Sequence, residues 1–243
     1  MSPLPLARLL QLSSQALPIG GYSHSQGLES AIEQAIVSEE SSLLRWISDV
    51  LEFSMTSFEI PCLLSMWAAW VGGSPAAVAA LNDEFLSTRE SAEIRAAGVQ
   101  MGFSLRALLG NLPDVPASTV DALRAIQEPS LPCVWSAAAT VWQIEPQEAV
   151  IGYLWAWAEN QVLVAMKAVP IGQSAGQRVL LAIGSRIAQI AAQMGSGNMA
   201  SETGASKTGA SEMKGMSSGS NFCPGLAILS SQHETQYSRL FRS

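Results

Sequence analysis

Tyr22-Ser23-His24-Ser25-Gln26-Gly27, followed by Glu29, gathers hydroxyl, imidazole, amide and carboxylate groups within one short stretch. These are the types that nucleophilic catalysis uses: a hydroxyl, a base beside it and a group that orients the base. Neighbourhood in sequence does not supply triad geometry, however. The same residues also cap helix ends, and Ser23 and Ser25 stand where a helix should start. Two readings therefore follow from the residues themselves. One is a helical enzyme using Tyr22 and His24. The other is a polar corner between helices, in which Glu29 accepts backbone N–H groups at its own helix start.

Other chemistries find less support. A phosphate-binding loop needs a glycine-rich turn ending in Gly-Lys-Ser/Thr after a strand. Ser206-Lys207-Thr208 lacks both the glycine and the strand. A metal centre needs clustered imidazole, thiolate or carboxylate ligands. The two histidines, His24 and His233, are far apart, and only Glu234 adjoins either as a carboxylate ligand. No metal site and no cofactor is expected on this chain alone. Cys62, Cys133 and Cys223 are odd in number and widely spaced, which points to buried thiols in a reducing compartment.

The elements that must position these groups read as helices. Leu9, Leu10 and Leu12 lie on a first helix expected to stop near Pro18, because a residue before proline is pushed out of the α region. Gly20-Gly21 allows a turn, and a second helix is expected through Ile32 and Ile36. Ser41-Ser42 should cap a third, with Leu44, Ile47, Leu51, Met55 and Phe58 on one face and Pro61 kinking or restarting it. Gly72-Gly73 stops the next, and Ser74-Pro75 opens another. Thr88 to Leu109 reads as amphipathic, with Ile94, Ala97, Met101, Leu105 and Leu108 inward and Arg89, Glu90, Glu93, Arg95 and Arg106 on the polar side. Gly98 and Gly102 suggest tight helix packing. A short helix over Thr119–Gln127 and an Ala-rich buried one over Cys133–Ile144 follow.

Pro146 opens a long central helix to about Val169. Its apolar run is broken by Glu159, Asn160 and Lys167, so it reads as buried in protein rather than spanning a membrane. After Pro170-Ile-Gly-Gln, Ser174 should cap a helix with a Leu180, Ile183, Ile187, Ile190 seam. No segment alternates with period two for long. The fold class is all-α, a single globular helical bundle over residues 1–194. Residues 195–221 are Gly/Ser-rich without periodicity and read as a flexible linker. Residues 222–243 hold a short helix from Pro224 to Leu229 and a tail.

Residues 48% hydrophobic and only 14% charged, with seven Trp and a mean hydropathy of +0.23, can fill a core and leave apolar surface for partners. A net charge of −7 without a basic stripe argues against nucleic acid. The early residues make a poor signal peptide. In the tail, Tyr237, Arg239, Leu240, Phe241 and Arg242 are types that anchor interfaces. Lys167, the only lysine before residue 207, can meet solvent, the helix C-terminal dipole or a partner.

Three blocks then coincide with one known family. Leu9–Glu29, LLQLSSQALPIGGYSHSQGLE, resembles the N-terminal signature of UreF-type urease accessory proteins. Val169–Arg178, VPIGQSAGQR, and the terminal HETQYSRLFRS match further blocks in order, with a weaker match from Arg89-Glu90-Ser91 to Met101-Gly102. The 195–221 stretch departs from the family, whose link there is shorter and less simple.

The resemblance implies a cytoplasmic, non-enzymatic homodimer. It binds UreD (also called UreH), recruits the GTPase UreG to apo-urease, and couples GTP hydrolysis to nickel insertion. Tyr22, His24, Glu29, Lys167, Gln173, Gln177 and Arg178 are then expected to face or support the GTPase. His233, Glu234, Tyr237, Arg239, Leu240, Phe241 and Arg242 are expected to bind UreD/UreH. An alternative is a GTPase-activating protein that donates Arg178, Arg239 or Arg242.

Overall fold

The structure is a computed structural model describing residues 2–195, 223–233 and 240–241. Among these residues every regular element is helical, as expected from the periodicity. The linker reading lies outside the described residues except for Gly195, and so do Glu234, Tyr237, Arg239 and Arg242. No helix of the described residues is long and apolar enough to cross a membrane.

The bundle is built around α9 (Pro146–Ala168), with α10 (Gln173–Gly195) packed along it. Proline at the first turn and reciprocal bonds between Glu145 and Glu148 start α9 where Pro146 predicts. Its interior face carries Val150, Leu154, Ala158, Val162 and Ala165, all buried. The predicted α10 seam of Leu180, Ile183, Ile187 and Ile190 is buried against it. A side chain at Gly176 would meet Met166 Sδ at 2.8 Å, so glycine is what lets these two helices approach. Helix α1 (Pro3–Leu12) crosses α9 on another side.

Several boundaries differ from expectation. α1 stops at Leu12, well before Pro18, because the chain turns at Ser13-Ser14 and the Ser14 hydroxyl accepts the Ala16 N–H. α2 (Leu28–Glu33) ends short of Ile36, with Ala35 at φ 57°. α3 (Glu40–Val50) is capped by Glu39 rather than by Ser41-Ser42; Ser42 closes the box from inside by accepting the Glu39 N–H. The chain then runs through widened π-helical turns over Leu51–Glu59 before α4 (Ile60–Val71) resumes at Pro61, a residue with no N–H to give.

After α5 (Pro75–Ser87), α6 (Ala92–Asn111) starts later than Thr88, because the Ser91 hydroxyl accepts the Ile94 N–H and fixes the first turn there. Gly102 is packed tightly, since an added Cβ would lie 2.0 Å from the Pro129 carbonyl oxygen, whereas Gly98 faces open space. α7 (Ala117–Ala125) and α8 (Leu131–Val141) follow, and α8 packs between α4 and α6. Ser174 lies inside the first turn of α10 rather than capping it. α11 (Pro224–His233) runs past Leu229 and packs on α2 and α6.

Candidate partner-binding face

The polar stretch after Gly20 is held by α9. One α9 face presents Trp157, Asn160 and Gln161 to successive residues of the loop. Trp157 Nε1 donates to Gln26 Oε1 at 2.5 Å, Asn160 Nδ2 to the His24 carbonyl at 2.9 Å, and Gln161 Nε2 to the Ser25 carbonyl at 3.1 Å. Trp46 of α3 in turn donates to Gln161 at 3.2 Å, which orients that amide. Gln26 is held at φ 51°, a conformation L residues seldom adopt. Gly27 follows at φ +88° with Leu226 of α11 against it. The loop is therefore a rigid presentation, built by side chains that satisfy its buried carbonyls.

The result separates the residues of the catalytic reading. Tyr22 stands out to solvent at 58% exposure, while His24 and Ser25 are buried. The Ser23 hydroxyl donates to the Gly20 carbonyl at 2.7 Å and closes a tight turn. The Ser23 hydroxyl is thus engaged by the loop's own backbone, and Ser23 is not a helix cap.

Glu29 accepts backbone N–H groups, as its type suggests, but from a distant partner. Its two oxygens take the Leu240 N–H at 2.6 Å and the Phe241 N–H at 3.1 Å. Phe241 is buried, with Lys167 Nζ 5.7 Å from its ring centroid, and Leu240 points outward at 71% exposure. The structure so brings Glu29, Lys167, Leu240 and Phe241 together at the C-terminal end of α9. Just beyond, Gln173 and Gln177 are exposed on the first turns of α10. Arg178 is drawn to α3, where Nε and Nη2 meet the two Glu40 oxygens at 2.9 and 2.5 Å, and this pairing holds the Glu40 carboxyl below its ordinary range. His233 ends α11, its side chain outside the described residues.

Sequence reasoning missed a buried charge cluster. Arg89, expected on a solvent-facing polar side, has a side chain only 5% exposed. Its Nη1 donates to Glu59 Oε2 at 2.8 Å, Glu90 lies 3.8 Å from Nη2, and the guanidinium stacks over Phe85 at 4.5 Å. Glu59 also accepts from the Tyr153 hydroxyl, and burial followed by the Glu59 charge pushes that phenol well above its usual value. The signal available in the sequence was the charged pair Arg89-Glu90 immediately ahead of a capping serine: residues before the cap leave the helical face and can turn inward.

Burial also pushes the Cys62 and Cys133 thiols up to about 12. Both are buried, as expected, whereas Cys223, expected to be buried too, is half-buried. Among the described residues, no group of three or more His, Cys, Asp or Glu side chains is placed to hold a metal ion.

Comparison with known proteins agrees with the sequence resemblance. The UreF family model matches residues 37–203. The chain is 47% identical over 241 residues to the urease accessory protein UreF of Dechloromonas aromatica (strain RCB), covering 99% of this chain and 98% of that protein. It is 47% identical over 246 residues to that of Azoarcus sp. (strain BH72), covering 99% and 96%. With that of Janthinobacterium sp. (strain Marseille) it shares 42% over 243 residues, the full length of both. The chain belongs to the UreF family of urease accessory proteins.

Proposed function

We propose that this protein is a non-catalytic helical scaffold of urease maturation. With UreD/UreH it recruits the GTPase UreG to apo-urease, so that GTP hydrolysis is coupled to nickel insertion. It works in the cytoplasm as a homodimer. Tyr22 and the first turns of α10 form the GTPase-facing surface, and residues 233–242 bind UreD/UreH.

The observation that carries this reading is the Glu29 bridge. One buried carboxylate ties the loop that presents Tyr22 to the tail at Leu240 and Phe241. A partner that grips the tail can therefore act on the loop through this contact, which suits a protein that must sense one partner before recruiting another. The Ser23 hydroxyl bonded to the Gly20 carbonyl, and Tyr22 exposed while His24 is buried, support a scaffold over an enzyme. Arg178, already engaged by Glu40, gives no particular support to an arginine donor.

Co-expression with UreD/UreH and UreG tests the reading. The intact chain should retain both. Gln173→Ala with Gln177→Ala should keep UreD/UreH and lose UreG. Full UreG recruitment by that variant would remove the α10 surface from the account.

A further inference from the structure

The three α9 residues that hold the Tyr22 loop do so in different ways. Trp157 reaches a side chain, that of Gln26. Asn160 and Gln161 reach main-chain carbonyls, of His24 at 2.9 Å and of Ser25 at 3.1 Å. Asn160 Oδ1 takes no donor, whereas Gln161 Oε1 takes the Trp46 indole N–H of α3 at 3.2 Å.

Gln161 is fully buried. A primary amide can lie in two orientations a half-turn apart, with its oxygen and its NH2 exchanged. Its neighbours decide between them. The Trp46 indole N–H can only donate, and the Ser25 carbonyl can only accept. In the reversed orientation the NH2 would face the indole N–H and the oxygen would face the carbonyl, and both bonds would be lost. Trp46 therefore fixes which end of Gln161 meets the loop. Without the indole N–H, the amide oxygen is left unanswered in a place closed to water.

The carbonyl held in this way sits at a demanding point of the chain. It also accepts the Leu28 N–H at 3.2 Å, at the start of α2. Between Ser25 and Leu28 the backbone is left-handed twice, at Gln26 (φ 51°) and at Gly27 (φ +88°). A glutamine keeps such a conformation only where its surroundings enforce it. A clamp from outside the loop, at the base of this turn, supplies that enforcement.

We infer that Trp46 is a positioning residue for the Tyr22 loop, acting through Gln161. It sets the amide that clamps the loop at Ser25, and so keeps Tyr22 where a partner meets it. The identity of that partner as UreG rests on the scaffold reading; the clamp itself does not.

The test compares Trp46→Phe with Trp70→Phe in the full chain. Trp70 Nε1 donates to the Cys133 carbonyl at 3.3 Å, between α4 and α8, so each variant loses one indole hydrogen bond and keeps an aromatic ring. Amide exchange at His24 and Leu28, whose N–H groups bond to the Gly21 and Ser25 carbonyls, reads the loop by itself. Trp46→Phe should speed both about tenfold, and Trp70→Phe should leave them at the parent rate. UreG affinity is then measured on complexes preformed with UreD/UreH. Trp46→Phe should bind UreG about tenfold more weakly at full UreD/UreH occupancy. Adding Gln161→Met to Trp46→Phe makes both bonded groups apolar, which restores stability, but should leave UreG binding weak. Unchanged exchange in Trp46→Phe, or equal acceleration by Trp70→Phe, overturns the inference. So does a double variant that recovers UreG binding along with its melting temperature, the mark of a merely structural bond. A parent complex that takes no UreG while the exchange contrast holds would sink the scaffold reading and leave the positioning role standing.

Discussion

Glu29 and Phe241 stand 212 positions apart in sequence and 3.1 Å apart in space, the carboxylate of one accepting the backbone N–H of the other. The Leu240 N–H reaches the second oxygen at 2.6 Å. Two charge-assisted bonds to one buried acceptor make Glu29 the point at which the C-terminal tail meets the Tyr22 loop. Glu29→Gln offers one neutral acceptor and turns an NH2 toward a donor. It should loosen the tail by about 2 kcal/mol, roughly a 30-fold rise in amide exchange at Leu240 and Phe241. Unchanged exchange rates would place the tail's anchorage elsewhere.

Arg89 supplies a stability test. Removing it leaves Glu59 buried without its counter-charge. Arg89→Ala should therefore lower unfolding free energy by about 3–5 kcal/mol. The comparison is Arg124→Ala, whose pair with Asp121 is largely exposed, and which should change stability by less than about 1 kcal/mol. Denaturant titration of the two variants measures the contrast, and equal losses would contradict it.

Two helical glycines make a second contrast. Gly102→Ala drives a methyl into the Pro129 carbonyl and should cost several times more stability than any ordinary surface change. Gly98→Ala meets nothing and should gain roughly 0.5–1 kcal/mol from the helix backbone. Melting curves of both, read beside the parent, decide the matter.

Buried thiols give an alkaline limit. In the unfolded chain Cys62 and Cys133 ionise near 9.0, while in the fold burial pushes each to about 12. A raised folded value means the unfolded state loses its protons first. Stability is thus fully present below pH 9 and falls as pH rises toward 12. Tyr153, raised in the same direction, adds to the fall above pH 10. Denaturant midpoints at successive pH values should show this limb, and Cys133→Ala should make it shallower. A flat profile to pH 11 would show that the thiols ionise freely in the fold.

Much of the architecture was legible because it depends on local rules. Pro146 opens α9, Gly72-Gly73 closes α4, and the Leu180, Ile183, Ile187, Ile190 seam turns inward, each by its own sequence spacing. Arg89 was misread for a physical reason. Periodicity extended the helix back to Thr88 and put Arg89 on the solvent side, whereas the cap at Ser91 frees it to reach Glu59, 30 positions earlier. Glu29 was read correctly in kind, as a carboxylate accepting backbone N–H groups. Its partners could not be found locally, since they belong to the far end of the chain. The same holds for the loop residues His24 to Gln26, which Trp157, Asn160 and Gln161 of α9 hold only once that helix is in place.

The scaffold account rests most directly on what the tail holds. Delete Tyr237–Ser243, confirm that the truncated chain keeps the parent's helical content, and measure co-purification with UreD/UreH and UreG. The account predicts that the truncation loses UreD/UreH and, with it, UreG. A folded truncation that still carries both partners at the level of the full chain would contradict it.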